Sequence, residues 1–178
     1  KQKKPYPSQF EEGEYHLVHC YLKQGKDLSA QRLLNQMLTH YTESGIEEGY
    51  YLFQVWQELG KLAMHCQDYN TALHYFELSH ESGKNFLSDD QKLTLWLLQS
   101  DCFREKKEYD IAMRLLSKVI NAQTASPLRL KAMFLRAEIY ELEGRPELAI
   151  RQLESAAKKG GEWAHKAQEK LRENYGVE

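Results

Sequence analysis

The sequence predicts an all-α fold, an array of antiparallel helix pairs. Three observations carry that prediction. Prolines stand only at positions 5, 7, 127 and 146, so residues 10–126 contain no proline break. Strand-like alternation of β-branched residues is absent, while Leu, Ala, Glu, Gln and Lys, all helix formers, dominate. The chain also repeats itself about four alanines, Ala30, Ala72, Ala112 and Ala149, spaced by 42, 40 and 37 residues.

The agreement extends around each alanine. Sixteen residues before them stand Glu14, Trp56, Trp96 and Met133, and nine before stand Tyr21, Ala63, Phe103 and Tyr140. Four after stand Leu34, Phe76, Leu116 and Leu153. A short polar break splits each unit: QGKD at 24–27, CQDY at 66–69, EKKEY at 105–109 and EGRPE at 143–147. Each unit is therefore helix, turn, helix. A small residue on the second helix lets the two backbones approach closely, and the large residue sixteen earlier fills the space between pairs. A single pair cannot bury its apolar face, so neighbours must share a core.

In chain order, residues 1–9 (KQKKPYPSQ) have no helical pattern and read as a disordered linker. The repeat domain is expected over 10–178, with units at about 10–45, 46–87, 88–126 and 127–160. Residues 42–49 (TESGIEEG) and 81–90 (ESGKNFLSDD) look like the connections that lengthen the period. Ser88 and Gln91 form an S-x-x-Q capping box, which starts a helix at Asp89. Pro146 opens the second helix of the fourth unit. Gly160-Gly161 ends that helix. Beyond it Trp163, Ala167, Leu171 and Tyr175, spaced by four, form the apolar stripe of a capping helix over 161–176.

These offsets resemble the tetratricopeptide repeat (TPR), in an elongated form. Residues 56–76 carry the likeness best, through Trp56, Leu59, Gly60, Tyr69, Ala72 and Phe76. The unit at 96–116 keeps Trp96, Phe103, Tyr109, Ala112 and Leu116 but has Gln99-Ser100 in place of Leu-Gly, and the first unit has Glu14 in place of Trp. The family period is ~34 residues, shorter than every period here. The resemblance implies a right-handed superhelix, a TPR-like α-solenoid of about four pairs plus the capping helix. It also implies a protein–protein interaction scaffold that holds a peptide or helix in its concave groove. The alternative is a structural or regulatory segment packing within its own chain or a fixed assembly.

By the same resemblance the groove is lined by the first helix of each pair, at 15, 14, 11, 8 and 7 residues before each alanine. In the first unit these are Tyr15, His16, His19, Leu22 and Lys23; in the second, Gln57, Glu58, Lys61, Met64 and His65. The third gives Leu97, Leu98, Asp101, Arg104 and Glu105, and the fourth Phe134, Leu135, Glu138, Glu141 and Leu142. Some family members hold a chaperone's C-terminal carboxylate with a Lys/Asn/Arg clamp. The clamp positions here carry Tyr15, His19, Glu58, Thr94 and Leu98, and Glu58 would repel a carboxylate. The expected partner is instead another protein, a helix or extended segment bearing apolar and basic residues. His16, His19 and His65 would weaken a cationic partner below about pH 6.5.

Other functions find little support. Net charge is −2, so general nucleic-acid binding is not expected, and the Trp and Tyr residues sit mostly at core offsets. No run of ~18 apolar residues predicts a membrane span. His16, His19 and Cys20 share a helical face, yet no fourth ligand of matching spacing follows, so no metal or other cofactor is expected. His65 and Cys66 are adjacent and point ~100° apart on a helix. GxGxxG, GxxxxGK[ST] and GxSxG are all absent, and no enzyme is expected. Cys20, Cys66 and Cys102 read as small buried hydrophobes in a reducing compartment, which favours the cytoplasm. The chain opens on Lys1, as a processed or excised one would. The bacterial cell envelope, where elongated repeats of this kind occur, is the alternative location. Residues 10–90 hold thirteen acids and five bases, a balance of −8, whereas 129–172 balance at +3. A basic partner segment would lie over the first half, and salt would slow its association.

The alignment stands or falls on its alanines. Ala72→Arg should overpack the helix contact and bury an unpaired charge, costing at least ~3 kcal/mol. Circular-dichroism melting of this variant should fall well below that of the parent; equal melting would refute the alignment.

Overall fold

The computed structural model describes residues 8–123 and 126–176. Among them are nine helices and no strand. They form two compact units, Lys1–Ser88 and Asp89–Glu178. The first contains α1 (Ser8–Lys23), α2 (Asp27–Ser44), α3 (Tyr50–His65) and α4 (Tyr69–Ser82). The second contains α5 (Asp89–Glu105), α6 (Tyr109–Ile120), α7 (Leu128–Leu142), α8 (Pro146–Ala157) and α9 (Glu162–Tyr175). Within each unit, consecutive helices pack as hairpins: α1 on α2, α3 on α4, α5 on α6, and α7 on α8. Of the stretch 1–9 expected as a linker, residues 1–7 lie outside the described residues, and α1 begins at Ser8.

All four hairpins close in the same way. The residue five before each alanine is left-handed: Gly25 (φ 67°), Gln67 (60°), Lys107 (62°) and Gly144 (69°). The next amide then reaches back across the turn. Lys26 N–H donates to Tyr21 O (2.9 Å), Asp68 to Ala63 (3.0 Å), Glu108 to Phe103 (2.8 Å) and Arg145 to Tyr140 (2.8 Å). These are the long closing bonds of the Schellman motif, and they satisfy carbonyls that the helix end would otherwise orphan. The acceptors are the four residues that stand nine before each alanine in the sequence. At the second turn Asp68 Oδ1 also accepts from Thr71 N–H (3.1 Å); hydrogen bonding from the Thr71 side chain, and then from its amide, holds the Asp68 carboxyl below the ordinary range.

The turns bring the hairpin backbones close enough that one position on each second helix must be small. Ala30, Ala72, Ala112 and Ala149 are all fully buried. The facing first-helix position, twelve residues earlier, is occupied by Val18, Gly60, Ser100 and Ala137, and all four are buried. At Gly60 a Cβ would sit 2.4 Å from the Phe76 ring. Ser100 fits there because its hydroxyl donates to Leu97 O at 2.7 Å.

The core of the first unit gathers Val18, Ala30, Leu34, Met37, Tyr41, Leu52, Val55 and Leu59. Ser79 in α4 donates to Phe53 O (2.8 Å) in α3, a buried bond between the two helices. The connections 45–49 and 83–88 meet: Gly49 N–H donates to Ser82 O (3.1 Å) and Asn85 Nδ2 to a Glu48 carboxylate (2.6 Å). Gly83 lies against Phe53, where a Cβ would be 2.8 Å from its side chain. In the second unit Leu93, Leu97, Ala112, Leu116 and Ile139 form one cluster, and Met133, Ala149, Leu153, Ala167 and Leu171 another. The residues of α9 in that second cluster are two of the stripe read from the sequence, and Ala164 is buried beside them.

The cysteines depart from expectation. Only Cys102 is buried; Cys20 and Cys66 are exposed, and all three are free thiols. Cys20 stands two positions after the core residue Val18 near the end of α1, ~200° round the helix, and Cys66 caps α3 at an open turn. Apolar neighbours in sequence were a poor guide, because a 100° step carries the next side chain off the buried face. Burial pushes the Cys102 thiol up to about 12.

Gln67 and Lys107 hold a backbone conformation that costs a non-glycine residue ~1 kcal/mol or more. Glycine relieves that strain but loses part of the gain through the unfolded chain. The double variant Gln67→Gly/Lys107→Gly should therefore be more stable by about 1 kcal/mol in denaturant unfolding, whereas Gly25→Ala and Gly144→Ala should each be less stable.

Candidate functional site

The first helix of each pair carries the side chains expected to meet a partner, and the four pairs grade them consistently. Eleven residues before the alanine stand His19, Lys61, Asp101 and Glu138, and eight before stand Leu22, Met64, Arg104 and Glu141; all eight are half-buried. Seven before stand Lys23, His65, Glu105 and Leu142, all exposed. The offsets 15, 11 and 8 form an i, i+4, i+7 stripe along one helix face, so they share one environment.

The remaining positions do not behave uniformly. Tyr15, Gln57, Leu97 and Phe134 share one offset, yet Leu97 is only 2% exposed and belongs to the core, and Tyr15 is 9% exposed. Gln57 and Phe134 are half-buried. At the neighbouring offset His16 is exposed and Leu98 half-buried, while Glu58 and Leu135 are buried. Leu97 was expected on the binding face; it packs with Leu93, Ala112 and Leu116 instead.

In the first unit, α1 and α3 bring an aromatic and a charged group together. The Tyr15 ring meets His19 edge-on at 4.7 Å and lies 5.5 Å from Tyr51. Glu58 is buried and accepts from Lys61 Nζ at 2.8 Å. Burial, then the Glu58 charge, raises the Tyr15 hydroxyl far above its ordinary value, so it stays a neutral donor. His16 pairs with Glu12 (3.7 Å) and His65 with Asp27 (4.0 Å), both at the open surface where such pairs contribute little. Tyr51 escaped the sequence reading because it lies outside the offsets used, although the doublet Tyr50-Tyr51 at the start of α3 was visible.

In the second unit the corresponding face is knitted to itself. Arg104 reaches Glu138 (3.0 Å), Glu105 (3.1 Å) and Asp101 (3.6 Å). Lys170 from α9 reaches Glu141 (2.8 Å) and Glu138 (3.5 Å). Tyr175 donates to Glu141 at 2.6 Å; burial and that bond push its hydroxyl up to about 12. Phe134 packs against Trp163, ring centroids 5.4 Å apart, and Lys170 lies over Phe134 at 5.2 Å. Phe134 and Glu138 are thus engaged by α9. Nothing in the repeat offsets announced this; the seven-residue step from Trp163 to Lys170 placed both on one face of α9 and was the signal available.

Among the described residues no group of three or more His, Cys, Asp or Glu is placed to hold a metal ion. None of the helices is long and apolar enough to cross a membrane.

With the repeated closure and the buried alanines in place, solved structures offer a comparison. The TPR-like repeats of a kinesin light chain from Podosopora anserina match with a TM-score of 0.74 over 97% of this chain and 88% of that one, at 18% identity. The APC/C hetero-tetramer Cut9–Hcn1 matches with a TM-score of 0.67 at 20% identity, over 92% of this chain and 30% of that one. MamA matches with a TM-score of 0.63 at 14% identity, over 89% and 81%. The chain has a TPR-type repeat fold. Identities this low speak for the fold alone. No family model matches the sequence, and no curated protein does. The eight half-buried residues at the two constant offsets stand on α1, α3, α5 and α7.

Asp101 gives this face a pH signature. Burial raises its carboxyl pKa, and the Arg104 charge only partly offsets that. An acid with a raised folded pKa stabilises the fold most below its unfolded pKa, and this advantage is lost as pH rises through the folded value. At pH 7 the ionised group therefore costs stability. Asp101→Asn should melt above the parent at pH 7, with the difference gone by about pH 4.

Proposed function

We propose that the chain is a protein-interaction module that binds a peptide or helix of another protein on its first-helix faces, and is not an enzyme. One observation carries this reading. The α1–α3 face of the first unit gathers His19, Leu22, Lys61 and Met64, half-buried and uniformly placed, beside the Tyr15–Tyr51 aromatic pair and the buried Glu58. Side chains that are half in water and held by packing lose little freedom on binding, which favours recognition. The TPR-type fold supports the same reading by analogy.

The proposed contact set in the first unit is His16, His19, Leu22, Lys23, Gln57, Lys61 and His65, laid over Tyr15 and Glu58, which are buried beneath it. In the second unit it is Leu98, Asp101, Arg104, Phe134 and Glu138; Leu97 leaves it because it is core. The partner carries apolar and basic residues, matched to the aromatic floor and to the balance of −8 over residues 10–90. A second role follows for the Asp89–Glu178 unit. There Arg104, Glu138, Lys170 and Glu141 neutralise one another, which favours a structural, stiffening segment.

The test uses a partner isolated by affinity capture and then purified. A photo-crosslinking residue placed at His19 or Lys61 should capture it, and one at Gln31 in α2 or Glu77 in α4 should not. His19→Ala/Lys61→Ala should weaken binding at least ~10-fold with melting unchanged. Crosslinks confined to the second helices would refute the face assignment.

A further inference from the structure

A pocket of about 360 Å³ opens in the Lys1–Ser88 unit between the end of α2, the start of α3 and α4. It lies away from the proposed binding face. Leu52 and Trp56, which line it, and Lys61 and His65, which belong to that face, fall on nearly opposite sides of α3. Its size is within the ~300–1,000 Å³ of ordinary ligand sites, towards the lower end.

The lining has two parts. The wall is apolar: Trp56, Leu38, Leu52 and Leu78, with the Trp56 indole held by stacking on Tyr75 at 5.6 Å and 24°. The rim is anionic: Glu47, Glu48 and Glu81. Glu48 accepts from Asn85, a neutral donor, at 2.6 Å. Neither Glu47 nor Glu81 has a cationic partner among the described residues, although Lys84 stands three residues from Glu81 in sequence. Three carboxylates around an apolar hole without a counter-charge leave a strong local negative potential.

We propose that this pocket is a second recognition site, which takes an arginine side chain from a protein partner. The chemistry matches part by part. An arginine stem is aliphatic and buries against leucines, while its head stays at the wet rim. Its planar guanidinium can satisfy two carboxylates at once and pack against an indole. An apolar side chain would leave the rim carboxylates facing it unpaired, and an acidic one would be repelled. Glu47 and Glu81 are exposed, so their charge has no part in the core.

The probe is a five-residue Gly/Arg peptide with two arginines, compared with the same peptide carrying citrulline, which keeps the shape and loses the charge. Binding is followed through the indole N–H signals in a ¹H–¹⁵N spectrum, with Trp56 assigned by Trp56→Phe. The arginine peptide should move the Trp56 signal saturably and leave those of Trp96 and Trp163 in place. Citrulline, or the variant Glu47→Gln/Glu81→Gln with unchanged melting, should weaken binding at least ~10-fold. The His19→Ala/Lys61→Ala variant should bind the peptide as the parent does, so failure of the first-helix reading leaves this one standing. Equal binding of the citrulline peptide, undiminished binding by the glutamine variant, or a shift absent from Trp56 would each overturn the proposal.

Discussion

Four alanines set the distance between the helices of every pair, and much of the rest follows from that distance. With no side chain beyond Cβ at Ala30, Ala72, Ala112 and Ala149, the backbones of a hairpin come close. The facing position then has little room. Gly60 illustrates the limit, since an added methyl would press into the buried ring of Phe76. Close approach also demands a tight turn, which the left-handed residue and its back-reaching amide provide in every hairpin. Contact and turn are therefore one constraint, with a small residue and a left-handed one held five positions apart.

That coupling explains which substitutions the repeat tolerates. Two turns use glycine and two use Gln67 or Lys107 in the same left-handed conformation. The turn geometry is imposed by the packed hairpin, so a residue with a weak preference is carried along. The large residue sixteen before the alanine is less constrained. Trp56 stacks on Tyr75, Trp96 is covered by Lys118 at 5.5 Å, and Met133 packs with Ala149 and Leu153. In each case the named neighbour stands on the second helix of the same pair, so the large residue packs within its own hairpin, and different chemistries fill that place.

Most of the fold was legible because it is periodic. Ala72, Phe76 and Trp56 announce their unit by spacing, and the capping box at Ser88–Gln91 marks the start of α5 to the residue. The candidate face was less legible. Offsets from the alanine give one degree of burial where the stripe runs straight, as at His19, Lys61, Asp101 and Glu138, all half-buried. They fail at its margin, where a few degrees of helix rotation decide between core and surface. Leu97 went to the core while Gln57, at the same offset, stayed half-buried. The exposed thiols of Cys20 and Cys66 escaped for another reason, since apolar neighbours in sequence do not share a helix face. The contacts from α9 could not be read from the repeat at all, since Lys170 and Trp163 meet α7 through packing between helices that the offsets do not align.

The two units divide their charges differently, and this bears on which can bind. On the α5–α7 face, nearly every charge has found another: Arg104 with Asp101, Glu105 and Glu138, and Lys170 with Glu138 and Glu141. A partner arriving there must break or extend a network that already meets its own needs, and each half-buried pair opened costs desolvation that new contacts must exceed. On the α1–α3 face the internal account is thinner. Lys61 answers Glu58, while His19 and Tyr15 meet only ring to ring. Acids outnumber bases strongly in the surrounding sequence. Binding strength depends less on how much charge a surface holds than on how much of it remains unanswered. By that measure the basic, partly apolar partner proposed above would gain more at the Lys1–Ser88 unit than at the Asp89–Glu178 unit.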